Sequence, residues 1–145
     1  LILFSSELVL QKNNNCKMNK LIIDAASDKI FLMIINNDNS QKITHENSKV
    51  NYEKLILLIN QFLKSINLDL NKVSKIYINR GPGSFAGIRN SISIVKAIYL
   101  VRKIDYYSFS FKDFILENEI KYENVPQLCE KFKLKKNLIN PIYMS

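Results

Sequence analysis

Val73-Ser-Lys-Ile-Tyr-Ile-Asn79-Arg-Gly-Pro-Gly-Ser-Phe-Ala-Gly-Ile-Arg89, continuing through an apolar run to Lys103, reads as strand, glycine-rich turn and helix in immediate succession. The strand is Val73 to Ile78, bounded by a polar segment before it and by Asn79-Arg80-Gly81 after it, with Pro82 stopping the ladder. The chain has three glycines, Gly81, Gly83 and Gly87, all inside this turn. A chain that uses glycine nowhere else needs backbone freedom or close backbone approach here. Ser84 is placed to cap a helix beginning at Phe85, its hydroxyl accepting a free N–H of the first turn. With the positive end of the helix dipole behind the turn, Arg80, Gly81, Gly83, Ser84 and Arg89 form a candidate anion site. A turn that only positions a helix has the same sequence, so both readings stay open.

Two phosphate-loop patterns can be tested directly. A Walker loop needs Lys and then Ser or Thr after its last glycine, and Ile88-Arg89 stands there instead. Gly81 to Ala86 fits the loose dinucleotide pattern. That fold, however, requires an acidic residue about 20 positions on, where Ser108 and Ser110 are found.

The helix from 84 to 103 has two apolar stripes. Phe85, Ile88, Ile92, Val95 and Tyr99 form one, and Gly87, Ser91, Ile94, Ile98 and Val101 form the other, against a narrow polar side of Arg89, Asn90, Ser93, Lys96 and Lys103. An ordinary surface helix shows one stripe about 100° wide, so one stripe covers the sheet and the other needs a second partner. That partner is another layer of the same domain or another chain. The small residues Gly87 and Ser91 would allow close helix approach.

Upstream, Leu21 to Asp24 is a continuous apolar run suited to a central strand. Ile30 to Asn36 is a second strand after a Ser27-Asp-Lys turn, and Gln41 to His45 a third. Tyr52, Leu55, Ile56, Ile59, Phe62, Leu63 and Ile66 recur at helical spacing, predicting a helix over 51–66 capped by Asn51. Downstream come a short strand, Tyr106 to Phe109, a helix over Val125 to Phe132 and an extended segment, Asn140 to Met144. The order is three strands, helix, strand, helix, short strand, helix: an α/β fold with a single lobe.

Asn79 to Arg89 resembles the signature of the TsaB (YeaZ) family, the non-catalytic dimerisation subunit of the bacterial machinery that makes threonylcarbamoyladenosine in tRNA. Leu21-Ile-Ile-Asp24-Ala-Ala-Ser27 is similar to that family's opening strand, and Asn140-Pro-Ile-Tyr-Met144 to its C-terminal segment. The resemblance implies a ribonuclease H-like, actin-like ATPase core related to the glycoproteases. It implies a scaffold that binds a TsaD-like catalytic subunit, meets a TsaE-like ATPase through the complex, and forms a homodimer when alone. The helices over 51–66 and 84–103 would make the partner interface, through Tyr52, Leu55, Ile59, Phe85, Gly87, Ile88, Ser91, Ile92 and Val95. Asn51 stands where the family usually has histidine, and residues 110 to 126 leave no room for its second lobe. The expected division is therefore an extension over 1–17, an actin-like N-terminal domain over 18–117 and a reduced C-terminal segment over 118–145.

An enzymatic alternative, a nucleotide-binding protein of the actin-like ATPase or glycoprotease type, would use Asp24 and the glycine turn around phosphate. Asp24-Ala25-Ala26-Ser27 has no glycine, which favours a structural role for this strand-end acid and leaves weak nucleotide binding as the expectation. His45 is the single histidine, so a histidine-pair zinc site cannot be built and no Ser-His-Asp or Cys-His triad is supported, and no catalytic or metal-binding residue is expected. The net charge of +8 suits tRNA, met indirectly or on a basic surface, and a chain rich in Lys, Asn and Ile also follows from AT-rich coding. Two cysteines make no disulfide framework and no apolar run has transmembrane length, so a cytoplasmic protein without membrane contact is expected. Residues 1–17 match nothing in the family, lack a basic region ahead of their apolar start, and read as an extension before Met18.

Overall fold

The computed structural model describes residues 19–37, 39–115, 117 and 119–144. The expected extension over 1–17 lies outside them. Five strands, β1 (Asn19–Asp24), β2 (Lys29–Asn36), β3 (Asn39–Glu46), β4 (Val73–Asn79) and β5 (Asp105–Phe109), form one sheet in the order β3-β2-β1-β4-β5. The first three are an antiparallel meander, and β4 and β5 run parallel to β1. The parallel steps require crossovers. The first passes through the short helix α1 (Lys49–Glu53) and α2 (Leu55–Ser65), the second through α3 (Phe85–Arg102). The last helix, α4, spans Val125–Lys131.

The helices cover both faces of the sheet. Leu21, Ile23, Leu32, Ile76 and Ile78 point to the face carrying α1, α2 and α3, where they pack with Tyr52, Leu55, Ile59, Leu63 and Val95. Ile22, Met33, Tyr77 and Phe109 point to the other face and meet Phe114, Val125, Leu128 and Cys129 around α4. β1 is apolar on both sides because it is covered on both. The C-terminal residues are thus part of the core, which their sparse apolar spacing conceals.

Two expectations are corrected. The helix expected over 51–66 begins at Lys49, and its cap is Ser48 rather than Asn51: the Ser48 hydroxyl accepts from the Asn51 N–H at 3.1 Å. Ser48 has the extended backbone a cap requires, whereas the Asn51 side chain reaches back to the Glu46 carbonyl at 2.8 Å. That helix is also interrupted at Lys54, whose φ of −95° and ψ of 11° separate α1 from α2. Among the described residues no helix is long and apolar enough to cross a membrane.

Candidate functional site

The glycine turn lies where β1, β4, α3 and the C-terminal segment meet. Gly81 has φ of 111°, and a Cβ there would run into the Ile142 carbonyl oxygen. At Gly83 and Gly87 a Cβ would run into the carbonyls of Ala26 and Ala25. All three glycines therefore allow one backbone to touch another, and the Gly81–Pro82 peptide is cis. Ser84 caps α3 as expected, its hydroxyl accepting from the Gly87 N–H at 3.2 Å. The Ser84 N–H donates to the Ala26 carbonyl at 3.0 Å, tying the turn to the β1–β2 loop.

The expected anion cradle is not assembled. The Arg80 guanidinium donates to Asp113 at 2.7 Å and to the Asn140 carbonyl at 3.0 Å. Asp113 is fixed in turn by the capping box of the 3-10 turn Phe111–Phe114, accepting from the Ser110 N–H at 2.8 Å. Arg80 thus holds the C-terminal segment against the sheet. Arg89 projects into solvent from the first turns of α3. The Ile142 N–H donates to the Arg80 carbonyl at 2.8 Å, and the Tyr143 ring lies 4.8 Å from that of Phe85.

Asp24 is fully buried and accepts from five donors. Oδ1 takes the N–H groups of Ala26 and Ser27 at 3.0 and 3.2 Å. Oδ2 takes the Ser27 hydroxyl at 2.9 Å, the Asn79 amide at 3.0 Å and the Tyr122 hydroxyl at 2.6 Å. Asn79 also accepts from the Gly81 N–H at 2.9 Å, linking the strand-end acid to the glycine turn. Tyr122 stacks on Phe31 with ring centroids 4.0 Å apart. Burial, followed by the adjacent Asp24 carboxylate, raises its hydroxyl well above the usual tyrosine range. Asp24 thus fastens the turn, and its lone pairs are taken by the chain itself. His45 sits half-exposed on β3, and the described residues contain no cluster of His, Cys, Asp and Glu able to hold a metal ion.

The residues expected at a partner interface divide sharply. Tyr52, Leu55, Ile59, Gly87, Ile88, Ser91 and Val95 are buried in the chain's own core, and Ile92 is partly buried against it. They are unavailable to a partner because α2 and α3 lie side by side on the sheet, which takes up one stripe of α3, while α1 closes on Gly87 through Tyr52 and takes up much of the other. Phe85 alone of the set is exposed. What remains open is a shallow groove of about 300 Å³ between α1/α2 and α3. Ile56, Ile94, Ala97 and the rims of Tyr52 and Ile98 line it, with Glu53, Asn90 and Ser93 at its edge.

Tyr122, Asn79 and Asp113 were not singled out by the sequence. Asn79 has a local signal, an amide at the strand end next to a glycine. Asp113 has one as well, the three-residue capping-box spacing from Ser110, while Tyr122 acts across 98 residues and has none.

Residues 34–129 match the family model described as TsaD: tRNA N6-adenosine threonylcarbamoyltransferase. A curated relative, the tRNA threonylcarbamoyladenosine biosynthesis protein TsaB of Buchnera aphidicola subsp. Baizongia pistaciae (strain Bp), is 31% identical over 70 residues, covering 42% of this chain and 32% of that protein. Among solved structures, YeaZ from Pseudomonas aeruginosa superimposes with a TM-score of 0.58 at 18% identity, over 63% of this chain and 43% of that one. A second Pseudomonas aeruginosa structure, an uncharacterised protein with similarity to peptidase YeaZ, gives the same values. The sheet is thus the ribonuclease H-like, actin-like ATPase core in a single partial lobe. The chain spans about a third of the length of the curated relative it matches. The family model covers well over half of the chain, and the chain belongs to that TsaD-type family, with a TsaB protein among its relatives and the YeaZ fold as its structural likeness.

Proposed function

We propose that the chain is a non-catalytic scaffold subunit in the biosynthesis of threonylcarbamoyladenosine at position 37 of tRNA. It docks a TsaD-like catalytic subunit, or a second copy of itself when that partner is lacking, through the groove between α1/α2 and α3. A TsaE-like ATPase and the tRNA are reached through the assembled complex. The carrying observation is the groove, where Ile56, Ile94 and Ala97 line an apolar opening between the helices, beside the buried Tyr52 and Ile98. An apolar floor with Glu53, Asn90 and Ser93 at its rim is the arrangement of a helix-packing interface. The non-catalytic part of the reading is supported by Asp24, whose oxygens are occupied by the chain's own donors and not free to bind a metal or phosphate.

The test is the light-scattering mass of the chain, alone and mixed with the TsaD-like subunit of the same organism. It is run for the native protein and for Ile56→Glu and Ala97→Glu, both at exposed positions. A complex formed by the native chain and lost in both variants, with their melting temperatures unchanged, is the expected result. A native chain that stays monomeric and ignores the partner would overturn the proposal.

A further inference from the structure

The opposite face of the sheet holds a cavity of about 340 Å³ that the docking reading does not use. Its floor is built by register. Lys20 of β1 and Lys75 of β4 are direct cross-strand partners, and Tyr77 of β4 pairs with Tyr107 of β5 one step along. Since side chains alternate along a strand, Lys20, Lys75, Tyr77 and Tyr107 all project to the α4 side. Gln127, Cys129 and Glu130 of α4, followed by Lys133, form the opposing wall. The volume is at the lower end of the roughly 300–1,000 Å³ typical of small-ligand sites.

The ammonium groups of this cavity are not paired within the described residues. Like charges directly opposite one another on adjacent strands repel, and none of Lys20, Lys75 and Lys133 has an ion-pair partner among the described residues. The Lys75 Nζ lies over the Tyr107 ring, 5.8 Å from its centroid. Asp105, the carboxylate nearest in register, is engaged by the Asn137 amide at 2.9 Å and by Lys136 at 3.6 Å. Tyr77 is largely buried, and its hydroxyl opens onto the cavity with no hydrogen bond to another described residue. A hydroxyl donor facing the same space as several ammonium groups matches an oxyanion. Lysines act as compact point charges suited to phosphate, which as a monoester carries about −1.5 to −2 charges near neutral pH.

We propose that this cavity binds a phosphate group, with Lys20, Lys75 and Lys133 neutralising it and the Tyr77 hydroxyl donating a hydrogen bond to it. The phosphate comes from a free phosphorylated small molecule or from the backbone of a single-stranded RNA, and the test separates these sources. The experiment is a titration of the 15N-labelled full chain, followed by amide chemical shifts, with AMP in one arm and a short single-stranded oligoadenylate lacking terminal phosphates in the other. Saturable shifts confined to residues around 20, 75–77, 107 and 127–133 are expected in at least one arm. AMP alone identifies a monoester site and the oligonucleotide alone a backbone site. Tyr77→Phe, which keeps the buried ring, and Lys75→Gln are each expected to weaken binding about tenfold, as loss of a charged hydrogen bond does, while the spectra show both variants folded. Shifts scattered over the basic surface without saturation, no shifts in either arm, or an unchanged affinity in folded Tyr77→Phe and Lys75→Gln would overturn the proposal.

Discussion

The Tyr122 hydroxyl donates to Oδ2 of Asp24 across 2.6 Å and 98 residues of sequence. This contact draws the C-terminal part of the chain onto the end of the first strand. The same contact helps to close the second hydrophobic core, because Tyr122 also stacks on Phe31 and meets Phe111 edge to face, with centroids 5.5 Å apart. Tyr122→Phe keeps both ring contacts and removes the hydroxyl alone. The expected loss is about 1.5–3 kcal/mol, the range for hydrogen bonds to charged groups, read as a lower urea midpoint with an unchanged slope.

Alkaline pH acts on the same residues. Burial raises the Tyr77 and Tyr122 hydroxyls above their ordinary value and pushes the Cys129 thiol up to about 12. The unfolded chain releases these protons first, from roughly pH 9 for the thiol and 10 for the phenols, while the folded chain retains them. The folded state then binds more protons than the unfolded one, so stability falls as pH rises. Their contribution is fully present below about pH 8 and declines progressively above about pH 9. Urea midpoints measured across that range should fall in the native chain and fall less steeply in Tyr122→Phe. An equal slope in both would show that Tyr122 does not retain its proton.

What the sequence disclosed follows from the range of the interactions. The strand, turn and helix around Gly81 to Gly87 are legible because a short apolar run, glycine clustering and the Ser84 cap all act within a few residues. Both apolar stripes of α3 were legible too, but not their assignment. Periodicity shows which sides of a helix are apolar and cannot tell the sheet from a neighbouring helix or a partner chain, so residues such as Ile88 and Val95 were expected at an interface and lie in the core. Ser48 and Asn51 are both capping residue types three positions apart, and only the backbone angles at Ser48 decide between them. Arg80 looked free for an anion because its partner, Asp113, is 33 residues away.

Gly87→Ala gives a test with an inverted sign. In an exposed helix interior, alanine stabilises relative to glycine by roughly 1 kcal/mol. At Gly87 the new methyl would meet the Ala25 carbonyl, and backbone cannot swing aside as a side chain can. The expected result is destabilisation of about 3 kcal/mol, at the upper end of overpacking costs, seen as a lower melting temperature. A stabilised variant would mean that α3 does not approach the β1–β2 loop closely.

Val95 and Val101 separate the fold-building side of α3 from its free side. Val95 is fully buried against the sheet, while Val101 is 77% exposed near the helix end. Val95→Ala removes two buried methyl groups and should cost about 2 kcal/mol, combining transfer and cavity contributions. Val101→Ala should stay within about 0.5 kcal/mol, as surface changes usually do. Equilibrium unfolding of the two variants measures the difference directly. If both are neutral, α3 is not packed on the sheet; if both are costly, Val101 is covered in solution, and the chain's mass by light scattering then shows whether a second copy covers it.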